Sequence, residues 1–242
     1  MINAQRPAQI PTYLLSSEIK AYIDEAILHM TNPEINPKPT KPVPYRNSDL
    51  LEAFDAIFHS KCYLTELKSE NSWEMEIEHF LPQSERPDLV YDWNNLFPAD
   101  GNANRMKPKS TPAGGYLNPC DPADDVESEI FYTLSAYGED PSFEPQDPNN
   151  IKSVNTCNLL RRLHHGHNHD TNRKTDGLRH AIHKKYILIL QTMLRWKDPD
   201  PQKKAQAARE LRELLSRKSS FTMLCRSIPS VLNDLPANEF FD

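Results

Sequence analysis

No C-x-x-C pair occurs in these 242 residues, and the four cysteines, Cys62, Cys120, Cys157 and Cys225, stand far apart. Such spacing suggests no disulfide framework. Long apolar runs are missing too: nothing approaches the roughly 20 residues that span a bilayer. The opening MINAQRPAQIPTYLL has no apolar stretch behind a basic head. A soluble, cytoplasmic protein with no membrane partner is the expectation. Internal repeats and a low-complexity tail are also absent. Positive charge is scarce overall, with 28 Lys and Arg against 34 Asp and Glu and a net charge of -6. That balance alone argues against a nucleic-acid partner.

The distribution of charge reverses the argument. Residues 121–150 hold nine acids and no Lys or Arg, whereas residues 151–218 hold 16 Lys and Arg against six acids. An acidic middle masks a basic C-terminal half, which permits an anionic ligand on one face.

Proline, by contrast, is plentiful, with 21 residues. Residues 13–30 space Leu15, Ile19, Tyr22, Ile23, Ala26, Ile27 and Met30 at threes and fours, which predicts an amphipathic helix. Five prolines in NPEINPKPTKPVPY end it and leave an extended connector over 32–45. Ser48 can cap a second helix, DLLEAFDAIFHSK. Residues 73–80 read as a short strand stopped by Pro82, DLVYDWNNLF as a second extended piece, and NANRMK as a short helix. A strand pair is expected within EIFYTLSAYG, lying over the surface. Two strong helices follow, GLRHAIHKKYILILQTMLRW and a Pro-started one in DPDPQKKAQAARELRELLSRK. The predicted class is α+β, mostly α-helical around a small embedded unit. The chain divides into N-terminal helices and connector (1–60), a core (61–120), and an acidic linker with a basic helical region (121–242), expected to form one compact unit.

The chemistry concentrates in EIEHFLPQSERPDLVYDWNNLFPADGNANRMKP, residues 76–108. A divalent-metal phosphodiesterase needs oxygen ligands for a hard cation, a base to activate water, and a group that orients the base. Here Glu78 is a carboxylate, His79 a base, Asn95 a candidate holder and Asn104 a second oxygen donor. Neighbouring residues on a strand point to opposite faces, so the strand must end at Glu78 and His79 for them to converge. Pro82 is consistent with that ending.

These residues resemble the HNH, or ββα-metal (His-Me finger), nuclease motif: an acid-His pair followed by x-x-Pro, a central Asn and a terminal Asn-x-x-Lys. The resemblance implies that Glu78 and Asn104 hold one divalent ion, Mg²⁺ or Mn²⁺, that His79 is the general base and that Asn95 orients it. With YLNPCDPADD and TDGLRHAI, the wider pattern is similar to the HNH subunits of Septu-type and retron-associated anti-phage systems, which work beside an ABC-type ATPase. The resemblance thus implies DNA as substrate and that ATPase as partner. The alternatives are a tRNA-cleaving nuclease and a non-catalytic assembly subunit. Members of this group often clamp the finger with zinc on two C-x-x-C pairs. The corresponding positions here are Cys62 and Thr65, then Asp100 and Ala103, so a structural zinc is not expected and packing by Trp73, Trp93 and Phe97 would replace it.

Each assignment has a rival. Asn94 competes with Asn95, and a turn role competes with both. Asn102 competes with Asn104, and helix capping explains either. Glu76 is a supporting acid or a solvated charge, the latter slightly preferred. Arg105 and Lys107 can touch phosphate or be solvated helix-end charges. The cluster LHHGHNHD, with His164, His165, His167 and His169, lacks paired-ligand spacing and reads as a polar loop touching phosphate or a partner.

Overall fold

The computed structural model describes residues 1–166 and 168–242. Helix α1 (Ser17–Thr31) starts at Ser16, whose hydroxyl accepts from the Ile19 N–H, and it buries Ile19, Tyr22 and Ala26. Helix α2 (Ser48–Phe58) buries Leu50, Leu51, Phe54 and Phe58; its cap is Asn47 rather than Ser48, through the Asp49 N–H. The proline-rich connector between them carries no regular element over 37–47, as the locked φ and missing N–H of proline require.

Strand β1 (Glu76–His79) pairs antiparallel with β2 (Leu96–Ala99), Glu78 opposite Phe97 and His79 opposite Leu96. Helix α3 (Gly101–Met106) follows, capped by Asp100. The strand is shorter than expected, because Asn71 caps a 3₁₀ turn over Ser72–Glu74. The second extended piece is instead two 3₁₀ turns, Pro87–Leu89 and Trp93–Asn95, leading into β2. The α+β class expected from the sequence is what the chain adopts.

A hairpin of β3 (Ile130–Thr133) and β4 (Ser142–Pro145) follows. Rather than lying over the surface, it buries Tyr132 and Phe143 in the core. Helix α4 (Ile151–His165) packs under it, then α5 (His169–Lys174), α6 (Asp176–Trp196), α7 (Pro201–Leu215) and three short helices, α8 (Thr222–Arg226), α9 (Pro229–Asp234) and α10 (Ala237–Phe240). One hydrophobic cluster runs from Met1 to Phe240. Among the described residues no helix is long and apolar enough to cross a membrane.

The acidic middle and basic C-terminal half meet each other. Lys152 binds Asp124, Arg161 binds Glu144, Arg179 lies by Asp140, and Arg217 binds Glu127. Four of the 16 basic side chains of 151–218 are therefore matched by the acidic middle of the same chain. The histidine cluster also differs from a polar loop. His164 and His165 close α4, and His169 opens α5. Buried His164 faces the Leu160 carbonyl at 2.8 Å, and its burial lowers its pKa to about 3. His167 lies outside the described residues.

Candidate active site

The β1–β2–α3 unit, with the segment from Lys61 that leads into it, is the finger, and it is seated by aromatic packing. Trp93 stacks on Phe54 with centroids 5.7 Å apart, and the Arg6 guanidinium lies over Trp93 and Phe97 at 4.3 and 4.4 Å. Trp73 takes no part in this seat, being 53% exposed. Below β1, the zinc-knuckle positions come together without a zinc donor set. The Cys62 thiol is fully buried, and burial pushes it up against hydrogen bonds from Thr65 and the Asp100 backbone. Asp100 is engaged as the cap of α3, accepting from the Asn102 and Ala103 N–H groups at 2.9 and 3.1 Å. One thiol, one hydroxyl, a committed carboxylate and a methyl group do not make a closed tetrahedral site.

Buried charge occupies the same corner. Lys61 donates to Glu66 at 3.3 Å, to the Arg217 carbonyl at 2.6 Å and to Thr222. Glu66 also accepts from the Thr222 N–H at 2.9 Å and pairs with the Met1 ammonium at 3.1 Å. Burial alone would raise the Glu66 carboxyl, but the ammonium and Lys61 outweigh it and hold the pKa at about 2.

At the other end of the finger, side chains alternate across β1, with Ile77 and His79 buried and Glu76 and Glu78 less so. The strand ends at His79, yet Glu78 and His79 do not converge on a shared contact. Lys107 links them instead, its ammonium reaching Glu78 Oε1 at 2.6 Å and the His79 and Phe80 carbonyls at 2.8 and 2.9 Å. Expected to touch phosphate, Lys107 is 5% exposed and has all three N–H groups engaged. Burial pushes Glu78 up even with Lys107 attached, and Glu76 adds to that rise.

Asn104 meets Glu76, not Glu78: its amide donates to Glu76 Oε2 at 2.7 Å, leaving its Oδ1 without a partner among the described residues. Arg105 donates to Glu76 Oε1 at 3.0 Å and stays exposed. Glu76, its side chain 45% exposed, thus ties Asn104 and Arg105 to β1 while remaining partly solvated; the signal for it was its i, i+2 spacing from Glu78 on one strand face. No group of three or more His, Cys, Asp or Glu side chains is placed to hold a metal among the described residues. Two carboxylates and the free amide oxygen of Asn104 are nonetheless hard oxygen donors, of the kind that could hold a divalent cation such as Mg²⁺ or Mn²⁺.

His79 is 5% exposed and held at both nitrogens. Its Nε2 lies 3.0 Å from the Val90 carbonyl and its Nδ1 3.0 Å from the Gln83 amide nitrogen. A carbonyl only accepts, so Nε2 carries the proton and Nδ1 the lone pair. Burial, against the Val90 contact and with Lys41 and Lys107 nearby, lowers the pKa of His79 to about 4, so the ring is neutral at pH 7. Asn95 does not touch His79. Its side chain accepts from the Leu81 N–H at 2.7 Å and donates to the Leu81 and Leu89 carbonyls at 3.1 Å, fixing the loop that presents Val90. Asn94 is exposed, as a turn residue would be.

Over 65 residues the chain is 40% identical to Septu protein PtuB of Bacillus thuringiensis, a match covering 26% of this chain and 24% of that protein. The matched region thus spans about a quarter of the relative's length. No solved structure matches the chain. Within the finger just described, residues 61–113 match the family model described as HNH endonuclease.

Proposed function

We propose that the chain is a divalent-metal-dependent endonuclease that hydrolyses DNA phosphodiester bonds, acting in anti-phage defence as the nuclease subunit beside an ABC-type ATPase. The observation that carries this reading is the tautomer of His79: Nε2 is committed to Val90 and the lone pair sits on Nδ1, in a ring kept neutral at pH 7. Such a ring can accept a proton from water as that water attacks phosphorus. Asn95 holds the loop that orients the ring. Glu78 and Asn104, with Glu76 bracing Asn104, would hold Mg²⁺ or Mn²⁺, which when bound supplies charge stabilisation at the phosphate oxygens. Arg105, exposed at the end of α3, would contact a backbone phosphate, while Lys107 serves Glu78 and the turn after β1.

The test is incubation of the purified protein, alone and with a co-expressed ATPase, with plasmid DNA and with total tRNA, with and without Mg²⁺. Mg²⁺-dependent nicking of plasmid supports the reading. Cutting of tRNA alone moves the substrate to RNA, and no cutting of either by the complex overturns the nuclease assignment.

A further inference from the structure

The proline-rich connector, which the sequence marked only as a spacer, reaches the base. Tyr13 and Tyr91 donate their hydroxyls to the Pro44 and Val43 carbonyls, and Arg46 donates to the Met75 and Trp73 carbonyls. These ties pin residues 43–46 beside β1. The Tyr45 ring stands edge-on to His79, with centroids 5.0 Å apart and planes at 88°. Just upstream, Lys41 donates to Gln83 Oε1 and lies 5.3 Å from the Tyr45 ring centroid.

Two ends of this chain of contacts fix the same proton arrangement. An ammonium has no acceptor, so the oxygen of the Gln83 amide must face Lys41 and its NH₂ must face His79. The NH₂ then needs a lone pair on Nδ1, the tautomer that Val90 demands independently at Nε2. The nitrogen that must receive a proton from water is therefore occupied by Gln83 in this state, on a ring with almost no exposure.

We infer that Gln83 is a positioning residue that caps the base at rest, and that Lys41 is a nucleic-acid contact whose capture by a backbone phosphate withdraws the cap. The inference rests on the nuclease reading and adds a gate to it. Lys41 is exposed and forms no ion pair with a carboxylate among the described residues, and the connector also carries exposed Lys38. A phosphate oxygen is a stronger partner for an ammonium than a neutral amide oxygen, because both partners are charged. When Lys41 turns to phosphate, Gln83 loses the bond that holds it against Nδ1, and a water can take its place.

The test is carbethoxylation of histidines by diethyl pyrocarbonate, read by peptide mass spectrometry without nucleic acid or metal. The unprotonated nitrogen of a neutral imidazole attacks the reagent, so labelling reports access to Nδ1. Exposed His180 is the internal standard and buried His164 the control for loosening. Gln83→Ala and Lys41→Met should each speed labelling of His79 about fivefold, the population shift one ordinary hydrogen bond is worth. Gln83→Ala should also raise the single-turnover rate with little change in KM, whereas Lys41→Met should raise KM. Unchanged labelling in Gln83→Ala overturns the cap, and unchanged labelling in Lys41→Met overturns the part given to Lys41. A rise at His79 matched at His164 reports general loosening and also counts against the cap. Failure of the wild-type complex to cut any nucleic acid would overturn the nuclease reading instead, whatever the labelling gives.

Discussion

The two ends of the finger handle polar groups in opposite ways. At the knuckle end, Asp100 caps a helix, Lys61 and Glu66 neutralise each other in the core, and Thr65 accepts from the Leu67 N–H. At the strand end, Glu78 is half-buried and pushed up, Asn104 keeps an amide oxygen free, and His79 holds its lone pair on a displaceable amide. Both ends are buried and charged, so burial does not separate them. Completeness does: the first is closed by the chain's own groups, and the second keeps the Asn104 amide oxygen without a partner among the described residues. A fold can exchange a metal for protein interactions where the role is holding shape, because any set of satisfied contacts holds shape. No such exchange serves where the site must act on a substrate.

The largest test of this contrast is His79→Ala, expected to lower the cleavage rate by about 10²- to 10⁴-fold, the range of one general base. Because His79 is 5% exposed and bonded to Val90, the substitution should also lower Tm, unlike that of an exposed loop histidine. Thermal melts beside plasmid nicking check both. Wild-type cleavage by this variant would refute the assignment of the base.

At the closed end, Glu66→Ala should destabilise the protein by about 3–5 kcal/mol, the usual cost of leaving one member of a buried pair uncompensated. Denaturant unfolding measures it. A loss under about 1 kcal/mol would mean that the buried charges do not hold the knuckle, and the contrast between the ends would fail there.

Next in size is the response to acid. The folded pKa of Glu66 is about 2 against an ordinary 4.5. Its contribution is thus fully present above 4.5 and lost as pH falls toward 2, a span worth about 3 kcal/mol. The difference in unfolding free energy between wild type and Glu66→Gln should shrink over that window; a difference that is flat in pH would show that Glu66 is not held ionised by its partners.

The contrast also explains what could be read before the fold was seen. Helix α6 was legible because a 3.6-residue apolar period runs through it. Helix α4 was not, because Ser153, Asn155, Thr156 and Asn158 dilute its apolar stripe with weak helix formers and Gly166 suggested a loop; Gly166 is in fact its terminator, at φ +74°. Within the candidate site, Glu78, His79, Asn95 and Asn104 could be singled out from the residue types in 76–108 and from the motif they resemble. Their partners could not. Asn104 binds Glu76 across 28 residues, Lys107 binds Glu78 across 29, and Lys41 reaches Gln83 across 42. Contacts of that range depend on how α3 packs on β1 and how the connector folds back, which no local periodicity encodes.

The smallest expected effect separates the two ends most directly. If the knuckle needs no metal, a chelator should leave Tm unchanged, and elemental analysis should find less than one zinc per chain. If Glu78 and Asn104 hold a cation, Mg²⁺ should stabilise the fold. At a concentration about tenfold above its Kd, the gain is roughly 1.4 kcal/mol, which for a chain of this size is a rise of about 3–6 °C in Tm. Glu78→Gln should abolish that rise, because a neutral amide beside Lys107 offers the cation little. Cys62→Ser should keep it, since Cys62 sits at the other end. A chelator-induced fall in Tm that zinc alone restores would reverse the assignment of the two ends. An Mg²⁺ shift of the same size in Glu78→Gln would place the cation away from this carboxylate.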